Sequence, residues 1–104
     1  MTVRQRNILL PMEQIEAFCL RNPIAKLSLF GSVLRDDFTD HSDVDFLVEL
    51  LPEARVGLFK FIGMQIELEQ IIGREADLRT SQDLHERFRD NVLREAEEIY
   101  VRQD

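Results

Sequence analysis

Cysteine, basic residues and long apolar runs are scarce in this chain, and each shortage excludes a class of protein. Cys19 is the only cysteine, so no disulfide can form within the chain, and we expect a reducing, cytoplasmic location. The 13 basic residues are outnumbered by 20 acidic ones, giving a net charge of −7 that disfavours non-specific binding to nucleic acid or to an anionic membrane. No apolar run indicates a signal peptide or a membrane span.

The rest of the composition is that of an ordinary soluble globular protein. Hydrophobic residues make up 44% of the chain and charged residues 32%. A length of 104 residues suffices for one hydrophobic core and is too short for two. We therefore expect a single domain that spans residues 1–104.

The most informative stretch is an acidic alternation over residues 43–49. Asp43, Asp45 and Glu49 alternate with apolar residues at the period of a β-strand, which places the three carboxylates on one face. Carboxylates stacked on one face repel each other unless a cation lies between them. Mg²⁺ prefers carboxylate oxygens together with substrate phosphates, so the pattern indicates a magnesium site.

A Gly-Ser pair precedes this strand by ten residues. Ile24–Phe30 is predicted to be a buried strand, and Gly31 and Ser32 follow it as a turn into a short helix. Free backbone N–H groups at a helix start are suited to bind phosphate. A phosphate site beside metal-binding carboxylates indicates a site for a nucleoside triphosphate.

Hydrophobic spacing and turn residues predict an α/β (α+β) fold with a small mixed β-sheet flanked by helices. Apolar stripes on the longest helix are expected to be core, covered on more than one side; the alternative is an exposed remainder that docks a partner. A break near Asp90-Asn91 is expected to split the last helical segment. The predicted helices are Met12–Leu20, Ser32–Asp37, Val56–Ile72 and the segment from Ser81 onward, in which Leu84, Phe88, Val92, Ala96 and Ile99 recur at helical spacing; Glu75–Arg79 is predicted to be a strand.

The combination of Gly31-Ser32, ten residues and Asp43-x-Asp45, followed by a later carboxylate on a strand, resembles the nucleotidyltransferase (DNA polymerase β-like) superfamily, in particular its minimal single-domain members. The resemblance implies that Gly31 and Ser32 hold the triphosphate of ATP. It implies further that Asp43, Asp45 and Asp77 form the catalytic site and bind two Mg²⁺ ions.

The resemblance also implies attack of an acceptor hydroxyl on the α-phosphate, with transfer of AMP. Ser32 would orient the β- and γ-phosphates, and Ser42 and Arg35 are further candidates for nucleotide binding. Arg35 and Arg79 are also candidate phosphate or acceptor contacts. The chain has Asp36 where many minimal members have glycine, a departure that affects the local turn and leaves the metal ligands untouched.

A chain this short has no separate domain to grip an acceptor, so we expect a protein partner. Minimal nucleotidyltransferases of this kind resemble the antitoxins of HEPN–MNT toxin–antitoxin pairs, which transfer AMP to a tyrosine of the HEPN toxin. The resemblance thus implies a toxin encoded nearby and a hetero-oligomer with it. Two alternatives stay open: a nucleotidyltransferase with a small-molecule, aminoglycoside-type acceptor, and a non-catalytic antitoxin that neutralises its partner by binding alone.

Overall fold

The computed structural model describes the backbone of residues 2–5 and 7–103 and the side chains of residues 7–103. The expectation that the chain has no signal peptide falls partly on residues 1–6, whose side chains lie outside that description. The strands are β1 (Thr2–Gln5), β2 (Ile8–Pro11), β3 (Ile24–Phe30), β4 (Val44–Leu50), β5 (Ala76–Arg79) and β6 (Glu97–Val101); the helices are α1 (Met12–Arg21), α2 (Leu58–Ile72) and α3 (Glu86–Glu95), with 3₁₀ turns at Gly31–Leu34 and Ser81–Asp83.

Four strands form a mixed sheet in the order β5-β4-β3-β6, so the expected fold class is confirmed. Strand β4 runs parallel to β5, whereas β3 is antiparallel to both β4 and β6. The first two strands form a separate antiparallel hairpin that the sequence pattern did not predict. No helix among the described residues has the length and apolar character needed to cross a membrane.

One face of this sheet forms the hydrophobic core with α1 and α2, because alternate residues of each strand point toward the helices. On β4 the expected alternation holds, since Val44, Phe46 and Val48 are all buried. The helices contribute buried side chains at helical spacing: Ile15, Phe18 and Cys19 from α1, and Met64 and Leu68 from α2. The odd-numbered positions of β4, including Asp45, face the other side of the sheet.

The C-terminal segment closes the junction between α1 and β3. The side chain of Asn22 ends α1 by donating a hydrogen bond of 2.8 Å to the Phe18 carbonyl. Arg102 donates to the carbonyls of Cys19, Asn22 and Ile24 at 2.9–3.0 Å. One arginine thus ties the C-terminal segment to backbone carbonyls at the end of α1 and at the start of β3.

Helix α2 covers the outer edge of the sheet as well as its face. Gln65 accepts a hydrogen bond from the Leu78 N–H at 3.0 Å, and Glu69 accepts one from the Ala76 N–H at 2.9 Å. These two side chains satisfy the edge donors of β5, which would otherwise be free to pair with another strand. The helix ends, as predicted, at Gly73, whose φ of +75° is in the left-handed region.

Three expectations about the helices are wrong. The short helix expected over Ser32–Asp37 is a 3₁₀ turn of four residues, which ends where Arg35 returns to extended backbone. The long helix begins at Leu58 rather than Val56, and one of its two apolar stripes is exposed rather than covered. Helix α3 begins at Glu86 rather than Ser81 and runs unbroken through Asp90-Asn91, and the chain beyond Ala96 is a strand.

Candidate active site

Asp45 and Asp77 lie side by side on neighbouring strands. In the parallel pairing of β4 with β5 they are register partners, and residues opposite each other in a sheet project from the same face. Neighbouring strands are about 4.8 Å apart, so the two carboxylates originate at that spacing. Asp43 is exposed and directly precedes β4. Sheet pairing thus unites the two acidic strands that the sequence singled out.

Gly31 lies against the carboxylate of Asp45. Its φ is +75°, and a Cβ atom placed on it would lie 2.4 Å from the Asp45 Oδ2 atom. A side chain at this position would therefore be strained and would displace the carboxylate. The next residue, Ser32, donates its backbone N–H to Asp45. The Gly-Ser turn therefore packs directly against Asp45, a candidate metal ligand.

The environment of Asp45 disfavours the ionised form of its carboxylate. Partial burial raises its pKa above the usual range, and the negative charges of Asp77 and Asp43 raise it further. The Ser32 N–H and the Arg79 guanidinium oppose this rise without cancelling it. A carboxylate perturbed in this way, with two further carboxylates close to it, belongs to a donor set of the kind that hard divalent cations such as Mg²⁺ bind.

The carboxylates do not form a closed ligand cage by themselves. Within residues 7–103 no group of three acidic, histidine or cysteine side chains is assembled as a metal site. Asp77 instead accepts a hydrogen bond of 3.1 Å from the Arg79 Nε atom, and Asp45 accepts from Ser32. Because like charges repel, drawing the three carboxylates together would require a cation among them. The assignment of Asp43, Asp45 and Asp77 as metal ligands stays a prediction.

The other predicted nucleotide contacts lie around the same end of the sheet. Arg35 and Asp37 form an exposed ion pair at 3.7 Å, next to the exposed Asp36. The Ser42 hydroxyl accepts the Thr39 N–H at 3.1 Å, within the loop that leads to Asp43. The roles assigned to Ser32, Arg35, Ser42 and Arg79 stay predictions.

Sequence reasoning missed Arg74, which holds this loop in place. Its guanidinium donates to the Thr39 carbonyl at 2.8 Å and to the Ser42 carbonyl, and it lies 4.7 Å from the centre of the Phe38 ring. The loop in turn delivers Asp43 to the start of β4. An arginine that binds backbone carbonyls has no sequence signature, so no pattern could have singled it out.

Asn7 was missed for the same reason. Its side chain donates to the carbonyls of Val33 and Arg35 at 2.9 and 2.7 Å, which fixes the end of the Gly-Ser turn. The turn beside Asp45 is therefore held by a residue more than twenty positions upstream.

Two concavities lie along the sheet near these carboxylates, and neither is lined by Asp43, Asp45 or Asp77. One, of about 400 Å³, lies beside the Gly-Ser turn and is lined by Phe30, Gly31, Leu34, Arg35, Phe88, Asn91, Val92 and Glu95. The other, of about 320 Å³, continues along β4 past Leu47 and Glu49 to the 3₁₀ turn at Ser81–Asp83. The first concavity borders Gly31, which contacts Asp45, and the second begins at Leu47, two positions along β4 from Asp45.

Residues 11–100 match the family model of the nucleotidyltransferase domain. Protein adenylyltransferase MntA of Thermococcus cleftensis is 32% identical over 101 residues, which span 89% of this chain and 98% of that protein. A Methanocaldococcus jannaschii protein assigned to the same class of protein adenylyltransferases is 32% identical over 80 residues, which span 77% of this chain and 84% of the relative.

Solved structures agree with these sequence matches. A structure described as a minimal nucleotidyltransferase superimposes with a TM-score of 0.67 at 30% identity, over 82% of this chain and 85% of the other. A chain from a toxin–antitoxin complex with AMP-PNP gives a TM-score of 0.71 at 17% identity, over 90% of this chain and 76% of the other, and so shows the shared fold. The chain therefore belongs to the nucleotidyltransferase domain family, as the Gly-Ser and Asp-x-Asp motifs predict.

Proposed function

We propose that this chain is a magnesium-dependent protein adenylyltransferase that transfers AMP from ATP to a tyrosine hydroxyl of a HEPN-type toxin and so acts as its antitoxin. The relative from Thermococcus cleftensis carries the name of that activity, and similar folds occur in toxin–antitoxin structures. These names support the substrate class and the partner.

One observation carries the proposal: Asp45 and Asp77 are register partners on one face of the sheet, with Gly31 in direct contact with the first of them. A structural role for this arrangement is hard to defend, because burial and like charge both oppose the ionised form of Asp45. Groups perturbed in this way are concentrated at functional sites.

The chain's own residues would bind and orient the reactants. The Ser32 backbone N–H already donates to Asp45, so the Ser32 hydroxyl at the Gly-Ser turn would orient the triphosphate, with Arg35 close by. Magnesium, when held by Asp43, Asp45 and Asp77, would neutralise the triphosphate charge and favour ionisation of the acceptor. The acceptor oxygen forms a bond to the α-phosphorus, the α–β bridging bond breaks, and pyrophosphate leaves. Asp77 would take the proton of the acceptor hydroxyl.

The two concavities suit two different reactants. The space beside Gly31 combines the Phe30 and Phe88 rings with the Asn91 amide, a lining suited to a nucleoside. The space along β4 begins at Leu47, two positions from Asp45, and would admit the side chain of an acceptor. Nucleotide and acceptor would then meet at Asp45.

The decisive experiment incubates the purified chain with ATP, Mg²⁺ and the product of the adjacent gene, followed by intact mass measurement. We expect the partner to gain one or more AMP units. Asp45→Asn should abolish the gain, and Glu53→Gln, which alters an exposed carboxylate in the segment after β4, should not. A parallel assay with the partner's tyrosines replaced by phenylalanine locates the acceptor.

Two results would redirect the proposal. Turnover with small hydroxyl or amine acceptors in the absence of any protein partner would indicate a small-molecule nucleotidyltransferase. Full neutralisation of the toxin by Asp43→Asn and Asp45→Asn variants, with no mass gain by the wild-type chain across all four nucleotides, would indicate an antitoxin that acts by binding alone.

A further inference from the structure

The outer side of α2 carries an apolar stripe that nothing in the described part of the chain covers. Leu58, Phe59, Ile62 and Ile66 are 72, 89, 43 and 48% exposed. Their spacing of three and four residues puts them on one side of the helix, opposite the side on which Met64 and Leu68 enter the core. Scattered exposed apolar residues are ordinary, but four large ones in a contiguous stripe mark an interaction surface.

A glycine lies at one edge of this stripe, one turn after Phe59, where the fold does not need one. A Cβ atom placed on Gly63 would meet nothing within 4 Å. Glycine in the middle of a helix is unfavourable relative to alanine, so its presence there is not explained by packing within the chain. The separation of two packed helices depends on the side chains at their crossing point, and glycine permits the closest approach.

The charges along the stripe are complementary to those of the same stripe on a second copy that runs in the opposite direction. Lys60 and Glu67 lie on one flank of Gly63, three residues before it and four residues after it. In an antiparallel pair related by a two-fold axis at Gly63, Lys60 of each copy would meet Glu67 of the other, and Phe59 would meet Ile66. Lys60 pairs with no carboxylate among residues 7–103, and Glu67 contacts the exposed Arg21, which leaves one of its oxygens available.

We propose that the exposed face of α2 is a self-association surface on which two copies of this chain pair through antiparallel α2 helices, with Gly63 at the crossing point. Large apolar side chains each carry on the order of 150 Å² of surface. Two such faces would bury on the order of 1,000 Å² in total, the lower limit for a specific interface. We therefore expect a reversible dimer with a dissociation constant on the order of 10 µM.

The position of the stripe favours a second copy over the acceptor protein. The carboxylates Asp45 and Asp77 project from the opposite face of the sheet to the one that α2 covers. A partner that presents a side chain to those carboxylates would contact the open face, whereas a copy on α2 leaves that face free. The inference does not depend on the proposed reaction, and its test uses no nucleotide.

Sedimentation equilibrium of the purified chain from about 1 to 500 µM, a range chosen around the expected dissociation constant, tests the proposal. The mass should rise from 12.2 kDa toward twice that value. Phe59→Ser and Gly63→Gln should each weaken pairing at least tenfold while circular dichroism shows an intact fold. Phe88→Ser, which removes an aromatic ring that is 57% exposed on α3, is the matched control and should leave pairing unchanged.

A charge exchange distinguishes this geometry from any other contact. Lys60→Glu and Glu67→Lys should each be monomeric at concentrations at which the wild-type chain pairs, because each places like charges opposite each other. Mixing the two variants should restore a dimer, since every facing pair is then of opposite sign. A wild-type chain that stays monomeric throughout, a mixture that does not pair, or pairing equally sensitive to Phe88→Ser would each overturn the proposal. Evidence that the stripe binds only the toxin, and not a second copy of this chain, would also overturn the proposal.

Discussion

Substitution of Gly31 by alanine should damage stability and chemistry together, for two separable reasons. The first is backbone conformation, because φ is +75° and a residue with a Cβ atom loses about 1–2 kcal/mol in the left-handed region. The second is contact, because the new Cβ atom would lie 2.4 Å from the Asp45 Oδ2 atom. The carboxylate has to move, and misplacement by about 1 Å can lower a rate about 100-fold.

Gly73 provides a matched control for the first effect. Its φ is also +75°, but a Cβ atom there would meet nothing within 4 Å. Alanine also lowers the entropy of the unfolded chain, which offsets the loss by about 0.4–1 kcal/mol at both positions. We therefore expect Gly73→Ala to lower the free energy of unfolding by about 1 kcal/mol, or roughly 5 °C in melting temperature, with transfer activity unchanged.

Gly31→Ala should lower the free energy of unfolding by that same amount and by about 1–3 kcal/mol more, which is the usual loss from overpacking. A double-mutant cycle with Asp45→Ala assigns the excess, since removal of the carboxylate should reduce the effect of Gly31→Ala to that of Gly73→Ala. Urea unfolding measures the free energies, and AMP incorporation measures the activity. Equal stability losses for the two single variants, with activity kept in both, would refute the close approach between Gly31 and Asp45.

Three further predictions follow from individual contacts. Burial and the charges of Asp77 and Asp43 raise the pKa of Asp45, so above about pH 4 the folded state binds more protons than the unfolded state and stability falls as pH rises through the raised pKa. Metal-free Asp45→Asn should therefore melt higher than wild type at pH 7.5, with a smaller difference near pH 4; a difference independent of pH would contradict this. Arg74→Met removes hydrogen bonds to two loop carbonyls and the contact with the Phe38 ring, so it should lower the free energy of unfolding by about 1–3 kcal/mol and reduce activity, whereas Arg87→Met on the exposed side of α3 should do neither. Burial raises the pKa of the Cys19 thiol to about 12, so a disulfide reagent at pH 8 should label the chain only at its unfolding rate; fast labelling of the folded chain would show that the thiol is accessible.

The strands that carry the candidate site residues could be predicted because their sequence pattern matches their position in the fold. Residues 43–49 alternate at a period of two, and in β4 Val44, Phe46 and Val48 are buried while Asp45 and Glu49 are less so; Leu47, which is also buried, is the one departure. Gly31 could be placed at a turn because glycine follows a buried apolar run. What the sequence could not provide is the register of Asp45 against Asp77, since that depends on which strands pair.

The C-terminal segment shows how local spacing can mislead. Ala96 and Ile99 continue the helical spacing of α3, but the backbone leaves the helix at Ala96, where ψ is 139°. Residues 97–101 then pair with β3, whose second edge would otherwise have unpaired N–H and C=O groups. Isoleucine, tyrosine and valine in this segment suit a strand, and pairing with β3 outweighs the continued periodicity.

The sheet register connects packing with chemistry. Strand β4 is fixed on both sides, with Phe30 opposite Asp45 on β3 and Asp77 opposite Asp45 on β5. Because side chains alternate between faces, a slip of one residue would carry Asp45 into the core and Phe46 out of it. Burial of the apolar face therefore determines which carboxylates meet on the open face. The unfavourable gathering of negative charge around Asp45 is imposed by the hydrophobic core, and we expect bound cation and triphosphate to relieve it.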